Sequence, residues 1–451
     1  MRRRIEDYAA VAGFVILAIT CVLSPWGELM RWEIIPESTL GRRGIPTLCA
    51  LGAILVSVLS LRLFRKLAER PRLLWYALFV LVATLASLPR MSPQSALILG
   101  GTALGYWLLA VAVASFALDD GKARALVMLY ALSASAMALV TLIDNMGIVD
   151  IPSINEGMAY YQARAGLVKT VTGPFRLRTE YAVYLAVAWS ALLAQLALRR
   201  PRNWALWLLC VAALAVVFLA SVVAYTRSLY LVIVFSLLYL ATVVVKTRRI
   251  QIVVTTVLVI VGLIILAQQL MPAQFAVVEE FITRYTPEYI TRTRGDMVRV
   301  EALVKTLEDL RDSPLGMGFT LTEIYGGRGY LDTHSIYTEH LRQGGFIGLL
   351  FVALFIWPVF KAIARRSPGQ LLPVLTASAG WLVYGLFLGT QSMLFGWVLI
   401  GLIYGAMEHS SVAVRTSPRV VRRFGPVARG PAVAGSANFA SQSTNAKPAL
   451  K

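Results

Sequence analysis

Histidine and cysteine are scarce in this chain, with three of each in 451 residues. Cys21, Cys49 and Cys210 all fall within apolar segments. They form no disulfide framework and, with so few histidines beside them, no metal-spaced Cys/His set. A glycine-rich nucleotide-binding loop and an internal repeat are also missing. Charge is thin, at 15% of residues against about 25% in soluble domains. Acidic residues are the rarer sign, 24 against 43 basic ones. Length alone allows three soluble domains, but the apolar runs overrule that reading, because runs this long are insoluble unless they span a membrane.

What is there is hydrophobic, at 58% of residues. The apolar runs lie near 8–23, 45–63, 73–88, 96–117, 125–143, 181–198, 203–223, 228–245, 250–270, 345–361, 371–388 and 393–407. Each is close to the ~20 residues that cross a bilayer core, the third and last being the shortest. The expected fold class is an all-α integral membrane protein of about twelve transmembrane helices. A large external loop separates the ninth from the tenth. Residues 1–270 hold helices 1–9 with a smaller external loop near 144–179, and 271–344 form the large loop and its re-entry helix. Residues 345–409 hold helices 10–12, and 410–451 form a basic, disordered tail rich in Ala, Ser, Pro, Gly and Arg.

Orientation follows from Lys and Arg. Placing Arg2-Arg3-Arg4 inside puts Arg65-Lys66 with Arg70 and Arg72, Lys122 with Arg124, and Arg199-Arg200 with Arg202 on the same side. Lys246 with Arg248-Arg249 and Lys361 with Arg365-Arg366 join them. The short connections on the other side, at Pro89-Arg90 and Tyr225-Thr226-Arg227, carry few charges. Both termini are therefore expected in the cytoplasm. The net charge of +19 reads as orientation signal and contact with anionic lipid rather than nucleic-acid binding. No A-x-A cleavage site follows the first apolar stretch, which reads as a retained helix.

Ion-coupled carriers keep Asp, Glu, Lys or Arg within their spanning helices. Here the midsections are nearly free of them, and broken-helix signals at matching positions of two halves are missing. The ionisable groups gather in the external loops. Met297, Val300, Leu303, Leu307 and Leu310 recur at helical steps, so the large loop contains an amphipathic helix. Thr293 with Asp296 fits a capping box at its start, Ser313-Pro314 ends it, and Gly316-Met317-Gly318 follows as a turn. Arg292, Arg294 and Arg299 crowd its first turns. A solvated face beside the headgroups explains them, as does a guanidinium cluster aimed at an anion, since the planar fork binds two oxygens at once. His334 stands where the loop re-enters the membrane, a place for a base or hydroxyl-positioning group. His340, six residues on, faces elsewhere and reads as structural or interfacial.

Three pieces together resemble the O-antigen ligase and O-antigen polymerase superfamily of bacterial glycan transferases. One is Arg299-Val300-Glu301-Ala302-Leu303 followed by Asp312-Ser313-Pro314-Leu315-Gly316-Met317-Gly318-Phe319, similar to an R-x-E-x-W/L helix ending in P-L-x-G-x-G. The second is His334-Ser335-Ile336-Tyr337 through Gly345-Phe346-Ile347-Gly348-Leu349, similar to the H-N/S-x-Y/L…G-x-x-G-L re-entry helix. The third is Tyr225-Thr226-Arg227-Ser228, at the place of a T-x-S-R-G-like motif. Leu303 departs from the usual Trp. Gly173-Pro174-Phe175 is followed by Arg176, Arg178 and Glu180 rather than by the family's P-N pair.

The resemblance implies a C-type membrane glycosyltransferase of the bacterial inner membrane that is inverting, metal-independent and without a cofactor. Its donor is a glycan on undecaprenyl pyrophosphate at the periplasmic face, and its acceptor is a growing glycan or lipid A core. Polysaccharide-export or chain-length proteins are candidate partners. The implied catalytic residues are His334, Arg299 and Arg227, and the substrate-binding ones are Arg294, Arg292, Arg176, Arg178 and Tyr337. Tyr160 and Tyr161 are also placed to stack on sugars or to sit in an interfacial aromatic belt. Polymerisation of a surface or exopolysaccharide is the leading reading, ligation to lipid A core the alternative, and a non-enzymatic lipid-glycan flippase or carrier the third.

Overall fold

Runs of Ala, Leu and Val form helices along most of the chain, because a backbone inside lipid must satisfy its own N–H and C=O groups. The computed structural model describes residues 2–26, 44–116, 118–151, 154, 160–163, 166–175, 178–198, 204–246, 294–319, 322–323, 330–331, 335–365, 369–387 and 393–416, with isolated residues between 261 and 269. At 2–5, 160–163, 166–169, 244–246, 294–300, 322–323, 330–331 and 407–416 the description is of backbone alone. In order these hold α1 (Arg2–Leu23), α2 (Gly44–Leu59), α3 (Arg62–Glu69), α4 (Leu74–Ser87), α5 (Pro93–Ser115) and α6 (Asp120–Asn145). A hairpin of β1 (Tyr160–Ala163) and β2 (Gly166–Lys169) precedes α7 (Arg178–Ala197), α8 (Trp204–Ala224) and α9 (Arg227–Lys246). Then come α10 (Arg294–Asp312), a minimal hairpin of β3 (Thr322–Glu323) and β4 (Tyr330–Leu331), α11 (Ile336–Arg365), α12 (Leu372–Tyr384) and α13 (Leu394–Thr416).

Every expected spanning segment falls on one of these helices except the ninth, 250–270, which lies mostly outside the described residues. Among the described residues six helices are long and apolar enough to cross a membrane, and α2 with α3 makes a seventh as a bent pair. The apolar stretches Pro71–Ser87, Arg227–Val243, Leu372–Tyr384 and Leu394–Ala406 are shorter. The chain is thus a multi-pass, helical membrane protein. The expected count of twelve is met only in part, and two small hairpins in the loops qualify the all-α description. α13 continues to Thr416, past the point where the tail was expected to begin, and the rest of the tail lies outside the described residues.

The second expected segment differs from its reading. It stops at Leu59 and the chain turns by 78° into α3. Leu61 stands at the corner in the left-handed region, φ 57°. A bulky residue rarely adopts that conformation, so no turn signal marks the corner in the sequence. α3 is amphipathic and lies against the start of α1. Arg62 donates to the Glu6 carbonyl, and Arg65 pairs with the Glu6 carboxylate at 3.1 Å.

α7 is the central helix. It packs against α12, α8, α6 and α9, and its Ala-rich face is buried along most of its length. Small residues let helices approach where lipid supplies no hydrophobic drive between them. Ser190 of α7 shares a 2.8 Å hydrogen bond with Ser236 of α9, and Gly380 of α12 leaves the space that Ser190 occupies.

The two ends of the bundle gather different connections. At one end Arg124 of α6 donates to Gln195 of α7 at 2.8 Å, and Tyr239 of α9 donates to the Ile363 carbonyl of α11 at 2.9 Å. The basic connections that precede α4 and follow α11 meet there as well. At the N-terminus of α6, Asp119 accepts from the Lys122 N–H at 2.8 Å, which holds its carboxyl below the usual range. The other end gathers the close of α4, the starts of α7, α9 and α11, and the closes of α8, α10 and α12.

Candidate functional site

α8 and α9 are joined by a two-residue corner, Tyr225-Thr226. Tyr225 is buried and takes φ 46°, a conformation uncommon for a non-glycine residue. Backbone outliers of this kind persist only where the surroundings hold them, and they concentrate at functional sites. Leu229 N–H donates back to the Thr226 carbonyl at 3.0 Å, and Tyr230 Oη donates to the Ser221 carbonyl at 3.2 Å. The corner delivers Arg227, half-buried, as the first residue of α9. The segment before α7 meets the close of α8, with Val171 N–H donating to the Val223 carbonyl at 3.4 Å.

That segment ends at Gly173-Pro174-Phe175. Gly173 has φ 59°, and a Cβ there would lie 2.8 Å from the Tyr181 ring. Phe175 stacks on Tyr184 with centroids 4.6 Å apart. α7 then starts at Arg178. Tyr384 of α12 donates to the Thr179 carbonyl at 2.9 Å, and Ile336 N–H of α11 donates to the Gly385 carbonyl at 2.8 Å. Tyr337 donates to the Leu382 carbonyl at 3.0 Å. The starts of α7 and α11 thus meet at the close of α12.

α7, α9 and α10 each begin with an arginine: Arg178, Arg227 and Arg294. The N-terminal end of a helix carries the positive pole of its dipole and its unpaired N–H groups, and ordinarily takes acidic residues. In α7 Glu180 follows Arg178 within the first turn and offsets it, whereas the first turn of α9 holds no acidic residue and Arg227 adds to its positive pole.

The expected loop helix is α10. It starts one residue after Thr293 and ends before Ser313-Pro314, as the spacing indicates. Leu303 and Leu307 are 43% and 50% exposed, whereas Ala302, Thr306 and Leu310 are buried.

The segment after α10 joins the two glycine-bearing stretches into one structure. α11 breaks at Gly345, whose φ 60°, ψ −162° is open to glycine alone. The break frees the carbonyls of Arg342 and Gln343, which in an unbroken helix would bond the next turn. Met317 N–H donates to the Arg342 carbonyl at 2.7 Å and Gly318 N–H to the Gln343 carbonyl at 3.0 Å. Gly316, at φ 92°, lies so close that a Cβ would meet Gly345 N at 2.5 Å. α4 clamps the far side. Arg90 donates to Ser313 Oγ at 2.6 Å, and Phe319 N–H donates to Ser87 Oγ at 2.8 Å.

Residues 212–353 match the family model described as O-antigen ligase. That stretch of the chain is similar to the O-antigen ligase family. The match is less than half of the chain, and it supports placement in the O-antigen ligase and polymerase superfamily. It runs from within α8 into α11 beyond Gly345, so the Tyr225 corner, α10 and both glycine stretches lie inside it. Among the curated proteins no match is found.

Within the matched region the sequence reading overlooked a buried polar network. Arg342 is 2% exposed and donates Nη2 to Glu339 Oε1 at 2.7 Å, and Gln343 Nε2 donates to the same oxygen at 2.7 Å. The i, i+3 and i+4 spacing of Glu339, Arg342 and Gln343 was the available signal. The network stiffens the half-turn that presents the two accepting carbonyls. Glu339→Gln leaves the guanidinium buried without its counter-charge, at an expected cost of about 3–5 kcal/mol. A thermal melt should show a lower midpoint than for the paired replacement Glu339→Leu/Arg342→Met. His340 is buried between Tyr76 and Phe79. Its Nδ1 faces the Ile336 carbonyl and its Nε2 lies 3.3 Å from Tyr76 Oη, a structural place.

Of the expected site residues, Arg178 and Tyr337 lie at adjoining helix starts and Arg227 at the corner between α8 and α9. Arg294 and Arg299 are on the first turns of α10, where the description is of backbone alone. His334, Arg292 and Arg176 lie outside the described residues. His334 precedes by two residues the Ile336 N–H that anchors α11 to α12.

Proposed function

We propose that this protein transfers a glycan from undecaprenyl pyrophosphate to an acceptor hydroxyl at the periplasmic face of the bacterial inner membrane, as the polymerase of a surface or exopolysaccharide. The observation that carries the proposal is the interlock of Gly316-x-Gly318 with the Gly345 break, inside a region of O-antigen ligase type. It ties α10 and its arginines to the start of α11, immediately after His334. On this reading the end of the bundle that gathers these elements is external, both termini are cytoplasmic, and the unassigned segment 250–270 completes a twelve-helix bundle.

The acceptor oxygen attacks the anomeric carbon with inversion, and the bond to the pyrophosphate oxygen breaks. His334 takes or orients the hydroxyl proton, a contribution of roughly 100- to 10,000-fold. Arg227 and Arg299 hold the pyrophosphate as its charge develops, and Arg294, Arg292, Arg176, Arg178 and Tyr337 shape the donor and acceptor path. The scarcity of charge at mid-helix depth argues against a carrier. Ligation to lipid A core is the second reading, favoured by the description of the matched family.

The test is deletion of the gene and size analysis of surface and lipid-linked glycans, with complementation by wild type and by His334→Ala. Single repeat units in place of long chains are expected. Long chains stranded on the lipid carrier would instead establish ligation. An unchanged glycan profile would overturn the transfer reading. Full rescue by His334→Ala would remove His334 from the chemistry.

A further inference from the structure

At the end of the bundle opposite the glycine interlock lies a cavity of about 320 Å³. Arg70 and Arg72 reach it from the turn before α4, Lys361 from near the end of α11 and Arg365 from its last turn. Along α11 the distance from Gly345 to Arg365 is roughly 30 Å, the thickness of a bilayer's hydrocarbon core. Pro358, Leu375 and Ile403 make an apolar flank, and Asp120 is the carboxylate on the wall.

Four cations around one small cavity repel one another. Among the described residues none of the four is in an ion pair. The dipole of α11 favours Lys361 and Arg365 at its C-terminal end, but it explains only those two. Arg72 leads into the N-terminal end of α4, where a dipole disfavours a cation. The orientation signal places all four at this end, and a bound anion explains why they converge on one cavity. The volume sits at the low end of ligand pockets and matches a headgroup rather than a whole lipid. Charge at the rim beside an apolar flank is the pattern of an amphiphile site.

We propose that this cavity binds the phosphate headgroup of an anionic membrane lipid, seated between the four cations and the apolar wall of Pro358, Leu375 and Ile403. Basic pockets between helices at a cytoplasmic surface recognise such headgroups. The site is separate from the glycan-transfer end and does not depend on that reading.

The full-length chain in neutral detergent is titrated with phosphatidylglycerol, phosphatidylcholine and inorganic phosphate, and bound lipid is counted by native mass spectrometry. Wild type is expected to prefer phosphatidylglycerol by about tenfold and to hold it against millimolar phosphate. Arg70→Gln/Lys361→Gln is expected to weaken that binding about 25-fold, roughly fivefold for each basic residue removed beside an anionic lipid. Arg65→Gln/Lys122→Gln removes the same charge from the same end outside the cavity and is expected to cost about threefold or less. Displacement by free phosphate would support the anion site and assign it to a soluble ligand. Equal losses in the two double variants, or no preference over phosphatidylcholine, would overturn the proposal. If the cavity pair does not fold, Lys361→Gln, exposed on α11, carries the comparison at about fivefold.

Discussion

Gly345→Ala is expected to abolish glycan product and to lower the melting midpoint sharply. Two costs add at this position. The backbone lies in a region that only glycine occupies, and forcing a Cβ into it costs about 1–3 kcal/mol. The Cβ would also lie 2.1 Å from the Pro314 carbonyl oxygen, far inside contact distance. Relief requires the Pro314–Gly318 segment to withdraw, and withdrawal removes the bonds from Met317 and Gly318 to the freed carbonyls of α11. Those carbonyls then stand unpaired at about 1–3 kcal/mol each if buried. The total approaches the 5–15 kcal/mol that holds a typical domain together. Gly348→Ala is the informative comparison. Its helix is regular, and its Cβ would meet only the edge of the Phe79 ring at 3.1 Å, which a small ring shift relieves. Melting curves and glycan profiles of the two variants check the expectation. Equal behaviour would mean that the break at Gly345 is not what joins the two stretches.

Much of this was legible before any coordinates. A long run of Leu, Val and Ala admits few structures in lipid, so the helices fall where hydropathy places them. Gly316 and Gly318 announced a turn, and both take positive φ. Their partner was not legible, because the contact with Gly345 joins residues almost thirty positions apart and neither stretch alone implies the other. The amphipathic spacing of α10 did not say which face is buried: Leu310 is, while Leu303 and Leu307 face outward and Ala302 and Thr306 take the inward places. The corner at Leu61 carried no signal, since a leucine rarely adopts the left-handed region and nothing in its residue type announces it. The Glu339–Arg342 pair went unread, because its i, i+3 spacing is common on exposed helices and only burial gives it weight.

The second large effect is expected at Arg227. Arg227→Gln should lower the transfer rate by about 100-fold or more with little change in melting midpoint, since removing one preorganised donor from a developing anion costs a few kcal/mol. The Tyr225 corner fixes where this side chain starts, and the positive end of α9 stands behind it. A headgroup anchor predicts a different pattern. An anchoring arginine at a helix end lays its stem along apolar surface and its charge in the interface, a task that lysine performs equally well. A pyrophosphate ligand uses the planar fork and two parallel N–H groups, which lysine lacks. Arg227→Lys therefore decides between the two. For an anchor it restores full activity. For a pyrophosphate ligand it recovers only part of the loss, in the rate at saturating lipid-linked donor as well as at low donor, because the interaction strengthens as the leaving group departs. The measurement is turnover of purified protein on a lipid-linked glycan, for Arg227, Arg227→Lys and Arg227→Gln together.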